Sequence, residues 1–476
     1  MKHKFLKNRF LTVGLFLLLV WSSAACLGEG KEAGQEVRIE LEQDNSRASG
    51  KGVEIRENIV TVTEKGSYRI SGSLSDGQIR VDTPGKEVVL LLDGASVTGS
   101  GRAAVYVEEA ERVTILLEKG TENALQSRKA PEKKAEEKEA GTAVFSGADL
   151  VIGGTGLLDV KGEDGHGVQS RKDLCLEEGR IRAEAGKDGF KADGVLRIDG
   201  GSIEAVCEEK AFQADEGLEM TGGFVRAEAG DDALHSNRNA GITGGTLQIS
   251  SVKKGIHADE ELTVEGGTIR ITDSLEGLEA NRILIREGKI SIAASDDGIN
   301  ANGEPEEKDG RQLLPCLSVQ GGEISIDADG DGLDSNGDLI VGGGTIVIFG
   351  PEDDQNGALD YGRENGGRCL LNGGTVLAAG SSGMAVGFSE ESGQPSFLCF
   401  LDSVCEAGEE IRILDGKGEQ LFACTAGKRV SSVVFGSPEL EIGGRYLLEA
   451  GEESVRITME SDAVTVRGSQ LRGSVP

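Results

Sequence analysis

The sequence predicts an all-β protein: a right-handed single-stranded parallel β-helix with about 22 residues per coil, followed by a C-terminal antiparallel β segment. Three observations carry that expectation. Glycine is abundant, 72 residues in 476 beside only 8 prolines, and no G-X-Y period makes the chain collagen-like, so many short strands and turns are implied. A glycine precedes each of ten short apolar strands, at 156, 179, 201, 223, 245, 267, 288, 322, 344 and 374, in steps of 21 to 23 interrupted by steps of 34 and 30. Each unit holds three apolar patches; in "DALHSNRNAGITGGTLQI" they are Leu234 with Ser236, Ile242, and Leu247 with Ile249. Alternation within a patch sends one set of side chains inward, and glycine at the joints lets the backbone turn a corner. A leucine-rich repeat has a similar period, but its leucine and asparagine spacing is absent, and a propeller blade is roughly twice as long.

Taken in order, residues 1–26 read as an export signal. Lys2, Lys4, Lys7 and Arg9 form the basic start, "FLTVGLFLLLV" the apolar core and "SSAAC" the close. The apolar run is short for a membrane span. "SAAC" resembles a bacterial lipobox in which Cys26 is acylated and becomes the mature N-terminus, although Ser23 replaces the usual leucine; plain secretion is the alternative. Residues 27–50, beginning "LGEGKEAGQE", read as a polar tether. Anchor and tether would place the remainder on the extracellular face of the cell membrane. The repeat domain is assigned to 51–380, and its β-rich texture is already visible, less regularly, from about 35 to 125. Within it, "SRKAPEKKAEEKEAG" at 127–141 is a charged insertion read as a solvated loop. Two further insertions are "GEPEEKDGRQLLP" after Asn302 and the stretch "PEDDQNGALDYGREN". Past about 380 the glycine register is lost, and 381–476 reads as an antiparallel β cap over the open end of the stack.

The formal net charge of -32 excludes nucleic-acid phosphates as the main partner and points to cations, or to partners reached through cations. Seven cysteines follow Cys26, an odd number that leaves at least one thiol unpaired in an exported chain. Cys175 and Cys207 sit among strand residues, where cysteine behaves as a small buried apolar group. With no CxxC, neither a zinc ribbon nor a redox pair is indicated, and disulfides are not expected.

The acids carry the chemistry. "DADGDGLDSNGDLIVGGGTI" places Asp327, Asp329 and Asp331 at alternate positions, then Gly332, with Asp338 near where a calcium loop ends. Both flanks read as strand, and Asp334 stands where that loop carries an aliphatic anchor, so an EF-hand is the wrong frame. Equivalent residues of stacked coils lie about 4.8 Å apart, which makes a column of one charge costly. One column reads Asp188, Lys210, Asp232, Lys254, Glu276, Asp297, Asp331. The sign alternates through Lys254, as if each lysine neutralised the acids on either side, and then three acids follow. Three residues further on, Glu279, Asn300 and Asp334 succeed Lys191, Gln213, His235 and His257. Stacked oxygens without an internal cation suit calcium, which accepts many hard ligands at adjustable spacing. Asn302, Asp329, Asn336 and Asp360 are further candidates. The alternative is that these Asp-Gly and Asn-Gly pairs are turn formers on an acidic surface. His235 and His257 stack one coil apart, but with no matching third ligand they read as ordinary surface residues.

"YRISGSLSDGQIRVD", "VVLLLDGASVTGSGRAAVYV", "AVFSGADLVIGGTGLLDVKGEDGHGV", the recurrent "DGhxAxxxLxIxGGxI" pattern and "GALDY" followed by "GGTVLAAGSSGMA" resemble the bacterial carbohydrate-binding-domain lipoproteins, from about 50 to beyond 430. That family resembles pectate lyases in fold. The resemblance implies a calcium-carrying parallel β-helix that binds plant cell-wall polysaccharide, cellulose or polygalacturonate, without established cleavage. Its metal positions carry over to Glu276, Glu279, Asp297, Asn300, Asp331 and Asp334; Lys210 and Lys254 depart from the pattern, and metal is not expected at their coils. An acidic protein repels a polyuronate unless cations bridge the carboxylates, so polygalacturonate (pectin) implies the calcium ions. Cellulose is less well served: Trp21, the single tryptophan, lies in the export signal and aromatics make up 4%, leaving Tyr68, Tyr106 and Tyr361 as stacking surfaces. The runner-up function is a β-eliminating polysaccharide lyase, for which Lys253, Lys254, Arg282 or Arg286 would have to serve as base. A third reading is an adhesive or structural surface protein.

Overall fold

The structure, a computed structural model, describes residues 36–129, 141–303, 305–308 and 311–468. Cys26 with the rest of the segment read as an export signal, the first part of the expected tether and most of the 127–141 insertion lie outside the described residues. Among those described, the secondary structure is strand apart from one 3-10 turn, Arg363–Asn365.

Most strands belong to one long, predominantly parallel sheet in which a strand pairs with the third strand after it. Val168–Ser170 pairs with Phe190–Ala192, that with Phe212–Ala214, and that with Leu234–Ser236. A second series runs Leu174–Leu176, Val195–Ile198, Gly217–Met220 and Asn239–Ile242. A third runs Arg180–Ala185, Ser202–Cys207, Phe224–Ala229 and Thr246–Ser251. The register matches residues 22 apart, as Val168 with Phe190, Phe190 with Phe212 and Phe212 with Leu234. It lengthens where the insertions fall, as Ile299 with Leu333. We call each such step a rung.

Period-two alternation explains which side chains enter the core. In Arg180–Ala185, Ile181, Ala183 and Ala185 are buried while Arg180 and Arg182 face out, and Ser202–Cys207 repeats the pattern on the next rung. Like residues therefore stack on like, and Phe190 lies parallel to Phe212 with centroids 5.1 Å apart. The buried apolar residues from Ile39 to Val434 form one continuous cluster. At the corners, Gly179, Gly201, Gly223, Gly245, Gly267, Gly288, Gly322, Gly344 and Gly374 all have positive φ. At Gly223 φ is 83°, and a Cβ would stand 2.7 Å from the carbonyl oxygen of Gly200 on the preceding rung. The first glycine of the sequence series is displaced: Gly154, rather than Gly156, has the left-handed backbone there.

One boundary differs from expectation. The tether assigned to 27–50 gives way to the sheet earlier, because Val37–Leu41 pairs in parallel with Tyr68–Gly72 and buries Ile39 and Leu41. Its alternating Val-Arg-Ile-Glu-Leu is itself a strand pattern. At the other end, Val430–Gly436 adds antiparallel to Cys369–Gly380 and to Ser396–Cys405, and Gln420–Thr425, Glu410–Asp415, Arg445–Ala450 and Glu453–Thr458 form a separate antiparallel sheet. One pairing there is parallel, Ser396–Phe400 with Ala463–Arg467. This segment has its own apolar cluster, including Phe397, Phe435 and Leu448. No disulfide joins the described cysteines to one another, and Cys175, Cys207, Cys369, Cys399 and Cys405 are buried.

Candidate functional site

The three-residue strands of the first series bury their first and third side chains, so the middle residue faces outward from the core. Followed through the pairing, these middle residues make one row. It begins at Arg80, Tyr106 and Phe145, continues through Gln169, Lys191 and Gln213, and ends with His235, His257, Glu279, Asn300 and Asp334. Aromatic and basic at one end, it becomes acidic at the other.

Beside the row runs the corner column. Its aspartates have a backbone function that charge counting alone misses. Asp188 accepts the N–H of Lys210 at 3.1 Å, Asp232 that of Lys254 at 3.2 Å, Asp297 that of Asp331 at 2.8 Å and Asp331 that of Gly357 at 2.6 Å. Each carboxylate thereby ties its rung to the next, and a lysine cannot replace it as acceptor. The ammonium groups also do not sit between the column acids as expected. Lys210 reaches sideways to Asp231 at 2.8 Å, and Lys254 reaches forward to Glu279. A four-carbon stem is long enough to leave the column for the nearest less constrained carboxylate.

The residues expected to hold metal divide into two groups. Oxygens of Asp297, Asp331 and Asp334 all lie within 4.8 Å of one another. Asn300 joins them, donating from Nδ2 to Asp297 Oδ2 at 2.9 Å, while its buried Oδ1 has no hydrogen-bond partner; the residue is 7% exposed. Burial first, and the neighbouring carboxylates second, push Asp334 up to about 7. Burial likewise pushes Asp331 up to about 7 and Asp297 to about 6, with backbone N–H bonds opposing and the adjacent acids reinforcing it. Asp360 lies on the following rung, its N–H bonded to the Leu333 carbonyl at 2.8 Å, and its charge adds to the repulsion. Once ionised, three acids and an orphan amide oxygen converging in a half-buried site would supply the donor set of a hard cation.

Glu276 and Glu279 sit one rung earlier and behave as a pair. Burial and the facing Glu279 push the Glu276 carboxyl well up. Burial opposes ionisation of Glu279 too, yet the Glu276 proton and the Lys254 ammonium hold it below the usual range. The expectation that internal cations stop at Glu276 therefore needs correction: Lys254 serves this rung. Of the further candidates, Asp329 is drawn away to Lys428 at 2.6 Å, and Asn336 donates to Asn302 at 2.9 Å.

His235 and His257 do have a third partner, contrary to their reading as ordinary surface residues. Asp232, three positions before His235, brings Oδ2 within 2.8 Å of His235 Nδ1 and 3.2 Å of His257 Nδ1. An aspartate three residues ahead of a strand histidine, with a second histidine 22 residues on, is a signal present in the sequence once the rung length is known.

The aromatic candidates separate as well. Tyr68 is no stacking surface: it points inward, is 2% exposed and donates its hydroxyl to the Glu64 carbonyl at 2.7 Å. Tyr361 is partly buried against the core. Tyr106 stacks on Phe145 at 5.2 Å, with the Arg80 guanidinium 5.6 Å from its ring centre and that of Arg171 5.8 Å from Phe145. Each basic group considered for proton abstraction faces a carboxylate: Lys253 with Asp231 at 2.9 Å, Lys254 with Glu279, Arg282 with Glu261 at 3.9 Å and Arg286 with Glu265.

Comparison with known proteins adds the following. A solved structure titled as the polysaccharide lyase-like protein from C. thermocellum, gadolinium derivative, is similar at 28% identity, covering 53% of this chain and 99% of that one, with a TM-score of 0.41. A carbohydrate-binding domain-containing protein of Acetivibrio thermocellus is 32% identical over 156 residues, 32% of this chain and 54% of that protein, so the chain spans about half the length of the curated relative it matches. The family model described as carbohydrate-binding domain-containing protein matches residues 56–252 and 233–386. Those segments cover well over half of the sequence, and the chain belongs to the family of carbohydrate-binding domain-containing proteins.

Proposed function

We propose that this protein binds acidic plant cell-wall polysaccharide, polygalacturonate foremost, through calcium held on the acidic part of the row, without cleaving it. In this reading the parallel stack is a right-handed single-stranded β-helix of about 22 residues per coil over 51–380, closed by the segment from 381. Cys26 carries a lipid that holds the domain on the extracellular face of the cell membrane.

The observation that carries the reading is the convergence of Asp297, Asp331 and Asp334 beside the partnerless Asn300 Oδ1. Calcium there would relieve the repulsion and keep coordination positions open for ligand oxygens. A polyuronate supplies carboxylates at regular intervals, and a row of stacked rungs presents its groups at regular intervals too. The net charge of -32 makes the cation necessary, because without it polymer and protein repel. Tyr106 and Phe145, on the same row, stack on each other beneath Arg80 and Arg171, and Phe145 is buried, so a neutral sugar ring gains little platform there and cellulose ranks as a secondary ligand. Elimination chemistry is disfavoured by the carboxylate that faces each of Lys253, Lys254, Arg282 and Arg286, since a paired ammonium or guanidinium is a poor base.

The test is retention on immobilised polygalacturonate, cellulose and xylan, with calcium or with chelator, while absorbance of unsaturated uronides is followed. Retention on polygalacturonate that chelation abolishes is expected. Retention indifferent to chelator would remove the metal from the interface, and sustained release of unsaturated product would make the protein a lyase. No retention on any glycan would favour the adhesive or structural role.

A further inference from the structure

We propose that Asp232, His235 and His257 form a second metal site, selective for a zinc-class transition ion and independent of the calcium cluster. The three donors are His235 Nδ1, His257 Nδ1 and Asp232 Oδ2. They lie 3.0 Å (N to N), 2.8 Å and 3.2 Å apart. Zinc bonds of about 2.0–2.1 Å in a tetrahedron require neighbouring ligands about 3.3 Å apart. The observed triangle is one face of such a tetrahedron, slightly contracted, and the fourth position is left for water or a ligand oxygen.

The proton inventory points the same way. Asp215 accepts from Asn237 Nδ2 at 3.0 Å, and a carboxylate can only accept, so Asn237 turns its Oδ1 toward His235 Nε2, 3.0 Å away. Gln213 Nε2 donates to the same Oδ1 at 3.1 Å. His235 therefore carries a proton on Nε2, which in the neutral ring leaves the Nδ1 lone pair facing Asp232 and His257. His257 Nε2 faces Asp259 Oδ1 at 3.5 Å, another group that only accepts. With both rings neutral and protonated on Nε2, two imidazole lone pairs and a carboxylate meet at one point, a donor set that a metal cation satisfies by displacing any proton shared there. The nearby ammonium groups are engaged elsewhere, Lys210 with Asp231 and Lys254 with Glu279. Asp232 is 5% exposed, and its other oxygen accepts the Lys254 N–H, which orients the carboxylate. Partners that receive the outer N–H of a ligating histidine are the usual support of such a site. Imidazole selects zinc, copper or nickel over calcium, whereas the all-oxygen cluster around Asp331 selects the reverse.

Zinc titration of the purified chain, at neutral pH with millimolar calcium present to fill the oxygen cluster, tests this. One equivalent should bind, and cobalt substituted for zinc should give the visible absorption of a four-coordinate nitrogen-containing site. His235→Gln and His257→Gln should each abolish binding, and Asn237→Leu, which touches no metal, should weaken it about 10–100-fold. Asp331→Asn should leave zinc affinity unchanged and reduce calcium binding. Unaltered melting temperatures in the metal-free variants separate loss of a ligand from loss of the fold. No stoichiometric binding by the wild-type chain, or full affinity retained by either histidine variant, would overturn the proposal.

Discussion

At the scale of single residues, Asp297, Asp331 and Asp334 are the strained members of the chain. Folded, they ionise at about 6, 7 and 7, because burial and mutual repulsion disfavour the charged form. An unfolded aspartate ionises at about 3.9. Between these values the folded state binds more protons than the unfolded one, so stability falls as pH rises from about 4 to about 7 and the penalty is complete above that. Calcium bound as proposed would replace the protons and remove the penalty. Thermal melting should therefore show a calcium-induced increase, relative to chelator, that is small near pH 5 and largest near pH 8. Asp331→Asn keeps an acceptor for the Gly357 N–H and removes one charge. It should raise the melting temperature of the chelated protein at pH 8 and diminish the gain from calcium. A calcium increment constant across this range, or one untouched by the substitution, would dissociate the ion from these acids.

At the scale of elements, the stack depends on corners that only glycine fits. Gly223→Ala would hold alanine at φ 83° with its Cβ 2.7 Å from a backbone oxygen. A cost of about 1–3 kcal/mol follows from the backbone strain alone. Gly241, in the strand Asn239–Ile242, has nothing within 4 Å of where a Cβ would stand and no positive φ, so Gly241→Ala should be neutral or slightly stabilising. Denaturant unfolding of the two variants measures the contrast; equal stability would mean the corner can reshape. These corners are legible in the sequence because each constraint recurs at one period, and recurrence exposes it. The grouping of Asp297, Asn300, Asp331 and Asp334 is legible for the same reason. Side-chain reach is not: nothing in the spacing says that Lys254 turns forward to Glu279 or that Lys428 collects Asp329 from 99 residues away. Asp232 is hidden as a partner of the histidines because it belongs to the corner column, while they belong to the row.

At the scale of the molecule, a parallel stack leaves a strand edge at each end, and the edge at Cys369–Gly380 is covered by Val430–Gly436 through antiparallel pairing from Val376 to Gly380. Leu377 and Ala379 of that edge belong to the apolar cluster of the C-terminal segment, together with Phe397, Val433 and Phe435. Cutting the chain after Gly380 would uncover a row of N–H and C=O groups and an apolar face at once, the combination that templates strand addition between molecules. The large negative charge opposes association at long range, but salt screens it over roughly 8–10 Å at physiological strength. The truncated chain should therefore form oligomers that grow with protein and salt concentration, measured by light scattering, while the longer chain stays dispersed under the same conditions. Proline at position 378, whose residue pairs with Val434 in the intact protein, should suppress that growth in the truncated chain by removing a donor from the edge. A truncated chain that remained monomeric with an unchanged melting temperature would show that the segment from 381 is an appended module and that the stack ends without it.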